Sequence, residues 1–194
     1  NMTYSLKTQS LLLLLVAFFP FRAHAQEISI KSNLPSWFTA TTNIGFEYAF
    51  GENISMELSA GINPFTKGDE RRMEHWVVWP EVRYWMSDNF DGSFFGVHGV
   101  GGRYDIGGVK MPFNTLKGLR DNRYRGGAVG FGFSYGYKWF FSDSWAIEAT
   151  AGFGFVRFSY DLYSLGKDSS KTGEDKKEYA GPSKAAISIV YTIR

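Results

Sequence analysis

The clearest pattern along the chain is a strict alternation of large apolar and small or polar residues between residues 126 and 140. One face of this segment carries Val129, Phe131, Phe133, Tyr135, Tyr137 and Trp139. The other face carries Ala128, Gly130, Gly132, Ser134, Gly136 and Lys138. A period of two is typical of a β-strand, whose successive side chains point to opposite faces. The segment is therefore predicted to be a strand with one aromatic face.

The same period recurs along the chain, and amphipathic helical periodicity is weak. Eight strands are predicted in total. They are placed at Glu27–Asn33, Ile44–Phe50, Ile54–Phe65, His75–Met86, Ser93–Tyr104, Gly126–Phe140, Trp145–Tyr160 and Lys184–Ile193. No apolar stretch after residue 25 is long enough for a membrane-spanning helix, which needs about 20 residues.

The predicted links alternate in length. Short links follow strands two, four and six: Gly51–Asn53, Ser87–Gly92 and Phe141–Ser144. Longer links follow strands one, three, five and seven: Leu34–Asn43, Thr66–Glu74, Asp105–Arg125 and Asp161–Ser183. In the last of these, Lys167–Glu178 is polar and is expected to be a solvated tip. Short turns at one end and long loops at the other are typical of outer-membrane barrels.

Aromatic residues cluster near the ends of the predicted strands. Near the short links these are Tyr84, Trp85, Tyr137, Trp139, Phe140 and Trp145; near the long links they are Phe65, Trp76, Tyr104, Phe158 and Tyr160. Two such belts are expected where rings meet lipid headgroups. The expected fold is all-β, an eight-stranded antiparallel up-and-down transmembrane β-barrel with short periplasmic turns and longer extracellular loops. A soluble lipocalin-like barrel or sandwich is the alternative.

The first 25 residues resemble a signal peptide. Lys7 precedes an apolar run, Leu11–Phe21, and Ala23-His24-Ala25 gives the small-x-small pattern of a cleavage site. The prediction is a cleaved leader at 1–25 and an outer-membrane barrel domain at 26–194, with an uncleaved anchor as the alternative. Without Lys7 and Arg22, the 21 basic side chains fall to 19, equal to the 19 acidic ones. No basic excess then favours nucleic acid as a partner.

If the apolar faces contact lipid, the opposite faces line a narrow interior that contains charges of both signs. These residues are Lys31, Glu47, Glu57, Glu81, Arg83, Lys138 and Glu148. Buried charges are costly unless they are paired, so an internal salt-bridge network is predicted. Arg83 is its expected centre, because a guanidinium fork can hold two carboxylates. An eight-stranded barrel is just wide enough for side chains to fill it, which predicts a plugged lumen.

The long link between strands five and six carries a local basic excess. Its basic residues are Lys110, Lys117, Arg120, Arg123 and Arg125. They are candidates for binding lipopolysaccharide phosphates or an acidic partner, with local charge pairing in a solvated loop as the alternative.

No enzyme motif is evident, and no catalytic residue is assigned. The chain has no cysteine, which excludes thiolate chemistry and disulfides. His75 is predicted at the outer rim, where the histidine of a lipid-modifying barrel enzyme would lie, but no serine at a fixed spacing accompanies it. His98 is expected to be a hydrogen-bonded residue of the lumen or wall. No metal or other cofactor is expected.

Several runs resemble a family of uncharacterised Bacteroidetes proteins, a domain of unknown function, over about Ile28 to Ile193. The runs are His75–Trp85, Gly107–Phe113, Arg123-Tyr124, Ser134–Tyr137 and Gly181–Ser188. The resemblance implies an outer-membrane β-barrel of a Gram-negative bacterium, from a family sometimes associated with surface-fimbria gene sets. It implies no active site. Trp79 stands where relatives are expected to have a polar residue, which puts the lumen lining in doubt at that point.

The expected function is therefore that of a small non-enzymatic barrel in the bacterial outer membrane, acting as a structural or interaction protein at the cell surface. Its expected partners are outer-membrane lipid or lipopolysaccharide and a surface or fimbrial protein; the sequence does not indicate an oligomeric state. The first alternative is a lipid A-modifying enzyme that uses His75. The second is a small-solute channel, which a planar-bilayer conductance near zero would exclude.

Overall fold

The computed structural model describes residues 27–67, 71–87, 90–108, 122–164 and 170–193. The predicted leader at 1–25 lies outside these residues. Within them the chain forms eight strands and one short helix. In chain order these are β1 (Ile28–Asn33), α1 (Leu34–Phe38), β2 (Thr42–Ala49), β3 (Ile54–Lys67), β4 (Arg71–Trp85), β5 (Gly92–Gly107), β6 (Asn122–Phe140), β7 (Trp145–Ser164) and β8 (Lys171–Ile193).

The strands form a single closed ring in chain order, β1 to β8, and every neighbouring pair is antiparallel. Ile28 of β1 lies opposite Ile193 of β8, so the first and last strands close the ring. Closure leaves each strand a neighbour on both sides near the short links, which removes free sheet edges there. The predicted all-β fold of eight antiparallel strands is confirmed. None of the helical residues that the structure describes forms a segment long and apolar enough to cross a membrane.

The strands β5 to β8 are longer than the sequence pattern predicted. Gly107 ends β5 and Asn122 begins β6, and the β7–β8 ladder continues to Tyr163 opposite Lys171. The prediction of long irregular loops over Asp105–Arg125 and Asp161–Ser183 is therefore wrong at their ends, and Lys171–Glu178 is strand rather than a loop tip. The β8 extension is polar on both faces over Lys171–Glu178, so it lacks the apolar alternation that identifies a half-buried strand. Cross-strand ion pairs such as Arg157–Glu178 join it to β7.

The two faces of the ring differ as the alternation predicted. Phe133 on the outer face of β6 is 67% exposed, whereas Lys138 on the inner face of the same strand is 2% exposed in its side chain. The outer faces carry most of the exposed large apolar side chains, and the buried residues are mainly polar or charged. The interior of the ring is therefore largely polar, and its outer surface is largely apolar.

An aromatic cluster fills the inside of the ring at the end near the short links. Trp85 and Phe94 are fully buried, with ring centroids 4.7 Å apart, and Phe90 closes the cluster. The Trp85 indole donates to Ser55 Oγ at 2.8 Å. Trp85 lies two positions after the inward Arg83 and therefore also faces inward, so its prediction as part of an outer aromatic belt is wrong.

The predicted outer belt near the long links is also partly wrong. Trp76 is 46% exposed on the outer face, but the other four rings lie on inward positions of β3, β5 and β7: Phe65, Tyr104, Phe158 and Tyr160. Gly126 of β6 lies between Tyr104 and Tyr160 in the sheet. The rings of Tyr104 and Phe158, from the two strands that flank β6, lie 6.1 Å apart inside the ring.

We expect Gly136→Ala to destabilise the barrel by about 1–3 kcal/mol, because the Phe94 ring already occupies the space that the new methyl group needs. Gly127→Ala is the matched control on the same strand, since its nearest neighbour would lie 3.4 Å away, in ordinary contact. The measurement is the free energy of unfolding in denaturant. Equal losses for both variants would contradict this account of Gly136.

Candidate functional site

The seven charged residues predicted to line the lumen come together inside the ring. They are supplied by six strands, and each is at most 4% exposed: Lys31, Glu47, Glu57, Glu81, Arg83, Lys138 and Glu148. Each lies on the inward parity of its strand, which is why strands far apart in sequence deliver charges to one level of the ring. We call these seven residues, together with Lys184 of β8, the lumen network.

Arg83 lies at the centre of the lumen network and contacts four carboxylates rather than the two expected. Its Nε lies 2.8 Å from Glu81 Oε2, and its Nη1 lies 3.0 Å from Glu148 Oε2 and 3.3 Å from Glu47 Oε2. It also forms an ion pair with Glu57. On its remaining face the guanidinium carbon lies 4.2 Å from the centre of the Phe94 ring.

Two lysines share the same carboxylates. Lys31 Nζ lies 2.8 Å from Glu47 Oε2, 3.0 Å from Glu57 Oε2 and 2.9 Å from Glu148 Oε2. Lys138 Nζ lies 3.3 Å from Glu47 Oε2 and 4.4 Å from the centre of the Trp85 ring. Each carboxylate therefore bridges at least two cations, which holds the side chains from all sides of the ring in one arrangement.

An eighth member, Lys184 of β8, was not predicted from the sequence. Its Nζ lies 2.7 Å from Glu81 Oε2 and 3.2 Å from Glu57 Oε1, and its side chain is 8% exposed. The seven predicted residues comprise three cations and four carboxylates, so they would leave one uncompensated negative charge in the interior. Lys184 makes the network neutral, as burial of charge requires. The available signal was its parity with Ala186 and Ser188, but Lys184 stood at the predicted strand end.

Hydroxyl groups complete the hydrogen bonding of the carboxylates. Ser55 Oγ donates to Glu47 Oε1 at 2.6 Å, and Thr150 Oγ1 donates to Glu148 Oε1 at 3.4 Å. Ser59 donates to Glu57 and Ser134 donates to Glu81. These donors satisfy lone pairs that the cations do not reach, so the network is a hydrogen-bonded structure as well as a set of ion pairs.

A cavity of about 250 Å³ lies on the side of the lumen network away from the aromatic cluster. Its lining includes Lys31 and Arg83 from the network, the ring of Trp79, and Ser183 and Lys184 of β8. Trp79 Nε1 is buried and has no hydrogen-bond partner within the described part of the chain. The unexpected indole at this inner position is therefore part of the cavity wall.

The basic residues predicted in the fifth link lie in different surroundings. Arg123 and Arg125 are strand residues of β6 rather than loop residues, because pairing with β5 and β7 continues through them. Arg123 Nε donates to Asp105 Oδ1 at 2.6 Å, and the Arg72 guanidinium lies 3.4 Å from Asp105 Oδ2. Arg125 is exposed. The other predicted members, Lys110, Lys117 and Arg120, lie outside the described residues.

The two histidines within the described residues differ in their partners. His75 Nε2 lies 3.4 Å from Thr41 Oγ1 near the end of β4. His98 is 1% exposed, and its Nε2 lies 2.9 Å from Ser183 Oγ. The expectation for His98 was a hydrogen-bonded residue of the lumen or wall, and this is where it lies. Ser183 is distant in sequence, so no spacing pattern could have indicated the pair. Among the residues that the structure describes, no cluster of His, Asp or Glu is arranged to hold a metal ion.

Arg83→Met is expected to destabilise the barrel by about 3–5 kcal/mol, because it removes one partner from four buried carboxylates. The double variant Arg83→Met/Glu57→Gln should lose less than the sum of the two single changes, since it restores neutrality. Denaturant unfolding of the four proteins measures this as a double-mutant cycle. Strictly additive losses would show that the two groups are not energetically coupled.

The Asp105–Arg123 pair should make a small pH-dependent contribution to stability. Burial of Asp105 opposes its ionisation, but the hydrogen bond and charge of Arg123, together with Arg72, hold its pKa below the ordinary value of 3.8. A lowered pKa in the folded state stabilises above the unfolded pKa, and this contribution is lost as the pH falls below about 4. Asp105→Asn should thus cost less than about 1 kcal/mol at pH 7 and nothing near pH 2. A loss that does not change with pH would contradict this assignment.

Residues 10–193 match the sequence model of one protein family, described as "Protein of unknown function (DUF3575)". No curated protein and no solved structure matches the chain. The family match covers all eight strands, and therefore every residue of the lumen network. The chain belongs to the DUF3575 family of proteins of unknown function.

Proposed function

We propose that this protein is a small barrel of the bacterial outer membrane, with a plugged lumen, that acts as a structural or interaction protein at the cell surface. One observation carries the proposal. The outer faces of the strands form a continuous apolar band that ends at charged residues on the side of the long links. No water-soluble function requires so much exposed apolar surface on a monomer.

The height of this band suits a lipid bilayer. On β6 it runs from Val129 to Trp139, with Arg125 beyond it; on β7 it runs from Trp145 to Phe155, with Arg157 beyond it. These spans contain roughly 9–11 residues, the length with which a tilted strand crosses the hydrocarbon core. A membrane barrel accounts for the band and for the polar interior at once, because lipid contacts only the outer face.

The same assignment gives the barrel an orientation. The short links and both chain ends of the ring would face the periplasm, and the polar extensions of β6, β7 and β8 would project from the cell. A leader at 1–25 would direct the chain to export. The alternation of short and extended connections is the arrangement of other outer-membrane barrels.

The lumen network supports a structural or interaction role over that of a channel. It joins side chains from opposite sides of the ring through contacts of about 3 Å, so a solute would have to displace paired charges in order to pass. The projecting strands offer a surface for a protein partner, and exposed basic residues such as Arg125 suit lipopolysaccharide phosphates. A fimbrial partner is the proposal that the family resemblance adds. The surroundings of His75 do not support a lipid-modifying role, because the hydroxyl beside its Nε2 belongs to Thr41 and lies 3.4 Å away.

The membrane proposal predicts a position-dependent cost for charge on the outer face. Phe133→Arg, in the middle of the band, should destabilise the folded barrel in lipid vesicles by about 2–4 kcal/mol. Ser159→Arg, beyond the band on β7, is the control and should cost little. The folded fraction in vesicles is measured as a function of urea concentration. It is read from gels, in which a folded barrel migrates differently from the same protein after heating. A wild-type protein that stays in water without detergent, and does not enter vesicles, would contradict the proposal.

A further inference from the structure

The ring has a gap in its wall on one side. The β1 strand ends at Asn33, opposite Ser188, whereas β8 continues to Lys171. In the described ranges no strand pairs with this outer part of β8 on the side of β1. The Asn33 side chain bonds to the β8 backbone as a neighbouring strand would. Its Oδ1 accepts from Ile187 N at 3.1 Å, and its Nδ2 donates to the Ala185 carbonyl at 3.4 Å. The short helix α1 contacts β8 here, so a helix and one side chain, rather than a paired strand, form this part of the wall.

A β-bulge beside the gap turns a serine inward. Gly152 of β7 lies opposite Lys184, and the next residue, Phe153, lies opposite Pro182, so Ser183 is the extra residue of β8. Bulges re-aim side chains in this way. Ser183 and Lys184 consequently both face the interior, and Ser183 Oγ lies 2.9 Å from His98 Nε2. This distance is within the range for a nucleophile and its general base.

Two glycines provide the space for this pair. A Cβ at Gly132 would lie 2.8 Å from Ser183 Oγ and 2.9 Å from His98 Cε1, and a Cβ at Gly152 would lie 2.8 Å from the same His98 atom. Any larger residue at either position would push the imidazole away from the serine. Close packing against Gly132 of β6 and Gly152 of β7 therefore holds the His98 ring in place. In a catalytic triad a carboxylate does this.

The serine also faces the cavity described above, and the cavity reaches the gap. Its lining combines Ser183 and Lys184 from the interior with Pro182 and Ala185 from the outer face of β8, and with Asn33 and Ser36 from the end of β1 and from α1. A molecule that enters from the side would meet Pro182 and Ala185, beside the polar Asn33 and Ser36, before it reaches the serine hydroxyl. An acyl ester, which joins an apolar chain to a polar group, matches this mixed lining.

We propose that Ser183 and His98 form a nucleophile–base pair that hydrolyses an acyl ester of a lipid admitted through the gap. Ser183 Oγ bonds to the ester carbonyl carbon as its proton passes to His98 Nε2. The bond from that carbon to the alcohol oxygen then breaks, and the alcohol leaves with the proton from His98. Water attacks the acyl-serine, its proton passes through His98 back to Ser183 Oγ, and the fatty acid is released.

The side from which the ester arrives rests on the proposed membrane location, because an outer-leaflet lipid would lie beside the gap. The reactivity of Ser183 does not depend on it. A fluorophosphonate forms a stable bond to a serine only when a base activates the hydroxyl, so it tests the pair in detergent micelles without any lipid substrate. Entry into vesicles, measured separately, tests the membrane proposal.

The experiment exposes the folded full chain to a fluorophosphonate probe and locates the adduct by mass spectrometry. We expect labelling at Ser183, no labelling at this position in Ser183→Ala, and a rate lower by at least about 100-fold in His98→Gln. Glutamine can still hydrogen-bond Ser183 but cannot take its proton, so a merely structural pair would tolerate it. Ser29→Ala is the control, because Ser29 is a buried serine whose partner is the Thr192 hydroxyl.

Hydrolysis of p-nitrophenyl esters of increasing chain length gives a second readout in the same four proteins. Release should depend on Ser183 and His98, should be unchanged in Ser29→Ala, and should rise with acyl length as the chain fills the gap. A folded wild-type protein that is not labelled, or a His98→Gln protein labelled at the wild-type rate, would overturn the proposal. Labelling at serines other than Ser183 would overturn it as well.

Discussion

The structure depends on the coordination of Arg83 by four carboxylates inside a closed ring of strands. A guanidinium and four carboxylates cannot be buried separately without a large loss of hydration energy, and they become tolerable only together. Lys31, Lys138 and Lys184 bring the total charge to zero, so the interior holds ions without holding net charge. Because its members come from seven of the eight strands, the network also connects all sides of the wall.

One glycine-rich strand sets the shape of the interior on either side of this network. Along the inner face of β6, Gly136 leaves room for Phe94, Gly132 leaves room for His98 and Ser183, and Gly126 lies between inward tyrosines of β5 and β7. At Gly126 and Gly130 the missing side chain instead lets the backbone of β7 approach closely. The packing of Phe94 and of the serine–histidine pair therefore depends on glycines of this one strand.

The strands of the ring differ in length, and this difference leaves part of β8 unpaired on the side of β1. The strands β1 and β2 are short and are joined through α1, whereas β6, β7 and β8 extend well beyond them. The side chain of Asn33 bonds only to Ile187 and Ala185, at the beginning of the unpaired edge of β8. Charged residues along the rest of that edge, together with Pro182 and the bulge at Ser183, are features that discourage pairing with a foreign strand. The same features leave the cavity open at the side.

The sequence by itself determined which side chains face in and which face out, because alternation is a property of each strand alone. That was enough to find all eight strands, the outward apolar faces and seven of the eight members of the lumen network. The assignment failed where this local signal is absent or was not used: polar strand extensions such as Lys171–Glu178 show no alternation. Tyr104 and Tyr160 were assigned to a belt by their place at strand ends, although they share the inward parity of His98 and Glu148. Only the tertiary structure decided the pairing of Ser183 with His98 and which carboxylates Lys184 contacts. The first depends on one extra residue of β8 in the ladder with β7, and the second on the register of the strands around the ring. Hydrogen bonding between strands fixes both, not the order of residues within one strand.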